Sequence, residues 1–345
     1  MLDDLRRLSA RIGRDIEQVQ AAGGNTSLKD DGLLWVKASG LWLADAEAHE
    51  TFVPVRLDAV LRGIESGSPD PTAGAVVTER NPAGLRPSIE TTLHALLPHR
   101  VVVHTHSVRT IAVAVRTDAE AELERRLAGL AYAFAPYRQP GLPLTLAVAA
   151  ATGGRSVDVV VLGNHGLVVG ADDVAGAETM LAEVERRLDA PLAEAPRGDG
   201  EALRRVGAAL GLKPLEGHVL DGLATVPPRL ERAAAGSYYP DHLVFLGPRA
   251  TVLPDDSAKA RPIAAAARED GGRLFLVPGV GVLLDPDANP GADALAACLG
   301  HALGRVPDDA RLNALTPEEE AALMNWDAEK YRQGLARARG LGREA

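Results

Sequence analysis

Apolar residues recur at helical spacing from the start of the chain: Leu2, Leu5, Leu8, Ile12, Ile16 and Val19 share a face. This predicts a helix over 1–20 that stops before Gly23-Gly24. Leu33-Leu34-Trp35-Val36 predicts a strand followed by a turn at Ser39-Gly40, and Leu57 to Ile64 a short helix. Residues 67–84 read as a Pro- and Gly-rich loop, and a helix is expected from near Ser88 to about Pro98. The β-branched run Val101-Val102-Val103-His104-Thr105-His106 predicts a strand. So does Asp158 to Leu162, which turns at Gly163-Asn164-His165-Gly166. Val174 to Leu188 predicts a long helix, and the Ala, Pro, Gly, Glu and Asp of 190–200 mark a linker. Beyond it, Leu243-Val244-Phe245-Leu246 and Leu274-Phe275-Leu276-Val277 read as strands among Ala-rich helices, a small α/β unit. The expected division is 1–195 and 196–345, without internal repeats.

The length of 345 residues agrees with two units at about 100–200 residues per domain. Aromatics are only 3%, so Ala, Leu and Val must fill most of the interior. Lys plus Arg is 37 and Asp plus Glu is 47, giving 37 − 47 = −10, with no basic run. Such a balance argues against nucleic acid or an anionic membrane as the main partner, so any anionic ligand needs a local site. The single cysteine, Cys298, excludes an intramolecular disulfide and fits a reducing compartment. The acidic start Met1-Leu2-Asp3-Asp4 lacks the pattern of a signal peptide. The best apolar window, Leu142 to Ala151, falls short of the ~18 residues of a membrane span. A soluble, cytoplasmic protein is expected.

His104 and His106 stand at i and i+2 of a predicted strand, so both imidazoles point to one face and can close on one metal ion. Two strand histidines are more commonly surface or packed residues, and a third is needed. His165 follows the second apolar strand between Gly163-Asn164 and Gly166, where a small neighbour leaves one side of the ring open; otherwise it is a polar turn residue. Three neutral imidazoles with an open position form the arrangement of a catalytic Zn²⁺ site, and the same donors also accept Mn, Fe or Co. Glu90 opens the predicted helix after Pro87-Ser88, as a first-turn acid favoured by the helix dipole or as a general acid/base beside a metal. His94, one turn on, is expected to pack or hydrogen-bond, and His49, His99, His218, His242 and His301 are expected to be structural. Gly23-Gly24-Asn25-Thr26-Ser27 is a helix C-cap or a turn that offers N–H groups and hydroxyls to a phosphate. Ser39-Gly40 and Ser88 are further candidate anion contacts. Gly279-Val280-Gly281 is not a dinucleotide fingerprint, because Leu284 stands where the third glycine is needed.

Taken in order, Gly23-Gly24-Asn25-Thr26-Ser27, Ser39-Gly40, Pro87-Ser88-Ile89-Glu90, His104-Thr105-His106 and Asn164-His165-Gly166-Leu167 resemble the class II aldolase/adducin family over roughly residues 1–190. Tyr238-Tyr239-Pro240-Asp241-His242 and Asn325 to Arg332 resemble segments of the long aldolase portion of bifunctional rhamnulose-phosphate aldolase/alcohol dehydrogenases. The resemblance implies a three-layer α/β/α sandwich around a largely antiparallel sheet, here with a smaller C-terminal α/β domain, and commonly a homotetramer with sites at subunit interfaces. It implies zinc held by His104, His106 and His165, with Glu90 shuttling a proton. It also implies a phosphate pocket lined by Asn25, Ser39, Gly40 and Ser88. Tyr137 falls in a stretch that lies near the site in the family. Where the family motif often carries two serines before the acid, the second place here is Ile89, one hydroxyl fewer.

The function so implied is retro-aldol cleavage of a small ketose or ketose phosphate through a metal-stabilised enediolate. An epimerase, dehydratase or decarboxylase of a sugar phosphate or sugar acid would use the same site. An adducin-like scaffold would need neither the histidines nor Glu90.

Overall fold

The computed structural model describes residues 1–326 and Gly334. Seven strands form the larger sheet: β1 (Asn25–Asp30), β2 (Leu33–Lys37), β3 (Phe52–Arg56), β4 (Val101–Thr105), β5 (Tyr132–Ala135), β6 (Val159–Leu162) and β7 (Gly166–Ala171). Their order is β3-β2-β1-β4-β7-β6-β5, antiparallel except for the β5–β6 pair at the edge. Alternation along the strands gives each face its own core. Val101, Val103, Leu167 and Val169 pack with helices Leu2–Arg14, Val108–Ala114 and Val174–Leu188. Val102, Val160 and Val168 point the other way, to the side covered by helices Leu57–Glu65, Thr91–Leu96 and Leu142–Thr152. The result is an α/β/α sandwich around a largely antiparallel sheet.

A second sheet follows, of β8 (Lys213–Leu215), β9 (Thr251–Val252), β10 (Leu274–Val277) and β11 (Gly281–Leu284), in the order β8-β11-β10-β9. The smaller sheet and its helices meet helix Val108–Ala114 through a common apolar cluster. Val108, Ile111 and Val115 pack in it with Leu223, Leu246, Leu295, Cys298 and Leu299, all almost inaccessible to water. Each such leucine contributes about 1.5–3 kcal/mol by burial, so the C-terminal part is held firmly on helix Val108–Ala114. Among the described residues no helix is long and apolar enough to cross a membrane.

Several local expectations change. The first helix ends at Arg14 rather than near residue 20, because the Asp15 carboxylate accepts the Glu17 N–H at 2.9 Å and starts a turn. Gly23-Gly24 is therefore not its C-cap. The helix expected from Ser88 spans only Thr91–Leu96, since the Ser88 N–H still donates to the Lys37 carbonyl at 3.0 Å, as part of the sheet edge. Leu243 to Leu246 is not a strand but the end of helix Pro240–Leu246. All seven of its residues are buried, so the run has no alternation to distinguish strand from core helix, and Pro240 sets φ for the first turn. Of the segment Asn325 to Arg332, residues 327–332 lie outside the described residues.

Candidate metal centre

His104 sits near the end of the central strand β4, and His106 just beyond it. Ser107 then caps helix Val108–Ala114 by accepting the Thr110 N–H, which turns the chain away at once. His165 lies in the three-residue turn between β6 and β7, after Asn164, which holds φ at +52°. Gly166 follows because a Cβ there would stand 2.3 Å from the Thr105 carbonyl, where the two strands approach closely. These elements bring the three rings into a near-equilateral triangle, with centroids 4.9, 5.0 and 5.1 Å apart. One nitrogen from each lies within 4.8 Å of the others, and all three residues are buried.

Contacts show which nitrogen faces inward. His104 Nδ1–H donates to the Leu167 carbonyl at 2.9 Å, which leaves its Nε2 bare. The Gly24 N–H donates toward His106 Nε2 at 3.4 Å, which marks that nitrogen as the bare one, and His106 Nδ1 stands 2.9 Å from Asp241 Oδ2. The two Nε2 atoms stand 3.2 Å apart. Burial drives the pKa of His104 down and that of His165 down to about 3, so the rings are neutral near pH 7 and their lone pairs available.

Glu90 closes the fourth side. It stands at the N-cap position of helix Thr91–Leu96 with its side chain turned to the histidines, Oε2 lying 3.4 Å from His104 Nε2 and Oε1 3.4 Å from His165 Nε2. Asn25, held beside His104 by the β1–β4 register, donates its amide to Glu90 Oε2 at 2.7 Å and to Ser88 Oγ at 3.2 Å. Burial works against the carboxylate. The positive charge that His104, His165 and His106 take up at low pH, with the Asn25 amide, outweighs it and lowers the Glu90 pKa to about 2.

The donor set fits a divalent cation. The bare Nε2 atoms of His104 and His106 face each other at hydrogen-bond distance, with the His104 proton donated to the Leu167 carbonyl. Their separation is what two nitrogens about 2 Å from one ion would have. Glu90 Oε1 and His165 Nδ1 are buried without a hydrogen-bond partner, and buried carboxylates are commonly paired or coordinated.

The centre opens into a small pocket lined by Gly23, Asn25, Lys37, Ser39, Gly40, Ser88, Ile89 and Glu90 and by Pro240 and Asp241 from the C-terminal part. Asn25, Ser39, Gly40 and Ser88 thus share one cavity with Glu90 and His106. Tyr137 is buried elsewhere, against a neighbouring cleft. His94 hydrogen-bonds Ser27 Oγ through Nδ1 at 2.7 Å, and its burial lowers its pKa to about 3.

Two residues of this pocket escaped the sequence reading. Lys37 ends the apolar strand β2, and its Nζ donates to the carbonyls of Ala22 at 2.7 Å and Gly24 at 2.8 Å. Asp241 is the one acid of helix Pro240–Leu246, next to His242. For Lys37 the available signal was an ionisable residue closing an apolar strand.

Comparison with known proteins agrees with the geometry. The family model "Class II Aldolase and Adducin N-terminal domain" matches residues 7–191, more than half of the chain. The "Uncharacterized oxidoreductase YuxG" of Bacillus subtilis is 31% identical over 183 residues, covering 48% of this chain and 26% of that protein. The chain thus spans about a quarter of that relative's length. Among solved structures, the N-terminal class II aldolase domain of a conserved protein from Thermoplasma acidophilum is 27% identical, covers 54% of this chain and 91% of its own, and has a TM-score of 0.46. L-fuculose-1-phosphate aldolase from Thermus thermophilus is 19% identical, covers 55% and 93%, and has a TM-score of 0.37.

Proposed function

The chain belongs to the class II aldolase and adducin family, and on that footing we propose that it is a metal-dependent lyase cleaving a small ketose or ketose phosphate by a retro-aldol reaction. One observation carries the proposal: three buried imidazoles close on one point beside a buried carboxylate, Glu90, and Glu90, His106 and His165 line one pocket. A non-catalytic scaffold has no physical need for that set. His104, His106 and His165 would hold the ion, with zinc the expected metal. When bound, it supplies Lewis-acid stabilisation of negative charge on the substrate oxygens.

The remaining work falls to the chain. Asn25, Ser39, Gly40 and Ser88 would orient the substrate and any phosphate, with Ile89 contributing an apolar wall in place of a second hydroxyl. Cleavage requires removal of the proton from the departing hydroxyl. As the carbon–carbon bond breaks, an aldehyde leaves and its electron pair stays on the ketone fragment. Glu90, once displaced from the rings and protonated, would return a proton to that carbon. Residues 1–195 would form the catalytic domain of a homo-oligomer, and 196–345 an accessory domain.

The test is product analysis with metal-loaded protein and a panel of ketoses and ketose 1-phosphates. A ketone fragment plus an aldehyde is expected; an epimer or a dehydrated or decarboxylated product would replace aldol cleavage with that reaction. Glu90→Gln should keep the metal and lose about 10²–10⁴ in turnover. Unchanged turnover would remove Glu90 from the mechanism.

A further inference from the structure

We propose that Asp241, which lies outside the family-matched segment, is a positioning residue for the metal centre. Its carboxylate holds His106 in the tautomer and orientation that ligation needs. The inference rests on the metal reading above.

Three observations converge on it. Asp241 is 2% exposed, and its Oδ2 stands 2.9 Å from His106 Nδ1, on the ring edge opposite the Nε2 that faces His104. A carboxylate in that place fixes which nitrogen carries the proton and raises the basicity of the other. Next, the Gly-rich turn is built around this pair. A Cβ on Gly23 would stand 2.7 Å from His106 Nδ1 and 2.9 Å from Asp241 Oδ2, so any side chain there would wedge the two apart. Finally, the C-terminal part is tied at the third ligand as well. Asn164, which precedes His165, donates its amide to the carbonyls of Tyr238 at 3.0 Å and Asn313 at 2.7 Å. Helix Pro240–Leu246 is in turn locked by the apolar cluster that includes Leu243, Phe245 and Leu246. The C-terminal part therefore completes the site from within the same chain, with Asp241 as the contact that reaches a ligand.

The experiment is cobalt(II) titration of the full chain, following the visible absorption of the bound ion, with zinc competition for affinity. Wild type, Asp241→Asn, Asp241→Glu and Leu243→Ala are compared. Leu243→Ala loosens the same buried helix without altering the carboxylate. Asp241→Asn should weaken binding about 10–100-fold and shift the cobalt spectrum, because the amide can offer its NH₂ as well as its oxygen to His106. Asp241→Glu should recover part of the affinity, and Leu243→Ala should lower stability while leaving affinity and spectrum in place. Wild-type affinity and spectrum in Asp241→Asn would overturn the inference while leaving the metal site standing. So would an equal loss of affinity in Leu243→Ala, which would reduce Asp241 to a structural residue. Should the wild type itself bind no cobalt, the metal reading fails, and the inference with it.

Discussion

Replacing Lys37 with methionine tests whether a buried ammonium holds the Gly-rich turn in place. Lys37 is 3% exposed, and its Nζ donates to the Ala22 and Gly24 carbonyls at 2.7 and 2.8 Å, with the Gly23 carbonyl at 3.5 Å. Methionine keeps most of the aliphatic packing but donates nothing. Two buried carbonyls then lose their charged donor, at about 1–3 kcal/mol each. Against this, the variant no longer buries a charge, a relief that offsets part of the loss. The two short bonds hold the residues on either side of Gly23, so the loss should win, at about 3 kcal/mol net. The assay is urea unfolding of the metal-free protein under chelator, because a bound ion would add stability by mass action. The expected result is a lower midpoint at unchanged slope, and a turn that no longer presents the Gly24 N–H to His106. A change within about 0.5 kcal/mol would mean that those carbonyls have other partners and the ammonium no structural role.

Two further predictions concern stability. Burial of Lys29, whose Nζ donates to the Leu97 carbonyl, lowers its pKa from 10.5 to about 8. Between those values the unfolded chain binds more protons than the folded one, so stability rises with pH through that window. Relative to Lys29→Met, wild type should gain about 2 kcal/mol between about pH 7.5 and 10.5 in denaturant unfolding, allowing for partial exposure; a flat difference would remove Lys29 as the cause. Gly166→Ala puts a Cβ 2.3 Å from the Thr105 carbonyl, so backbone must move and stability should fall by about 3 kcal/mol. Wild-type stability in that variant would mean the β4–β7 approach beside His165 is looser than described.

The ligand set was legible because it follows from strand periodicity. His104 and His106 share a face at two-residue spacing, and His165 is marked by the glycines of its turn. Asp31-Gly32 is an equally local signal. Both residues hold positive φ, +47° and +72°, in the two-residue turn joining β1 to β2, which is the type such a hairpin favours. Leu243 to Leu246 was illegible as helix, because a short apolar run buried on every side has no period to read. The roles of Lys37 and Asp241 arise from tertiary contact. Asp241 meets His106 only because Ile111 on one part and Leu295 and Leu299 on the other share a core, and no local pattern announces that docking. The site was therefore visible where neighbours in sequence build it, and hidden where distant segments do.

Metal stoichiometry by mass spectrometry, after zinc loading and dialysis of wild type and His104→Ala, asks whether His104, His106 and His165 hold one divalent ion. About one zinc per chain is expected in the wild type and none retained in the variant. No retained metal in either, or equal zinc in both, would rule out that ligand set.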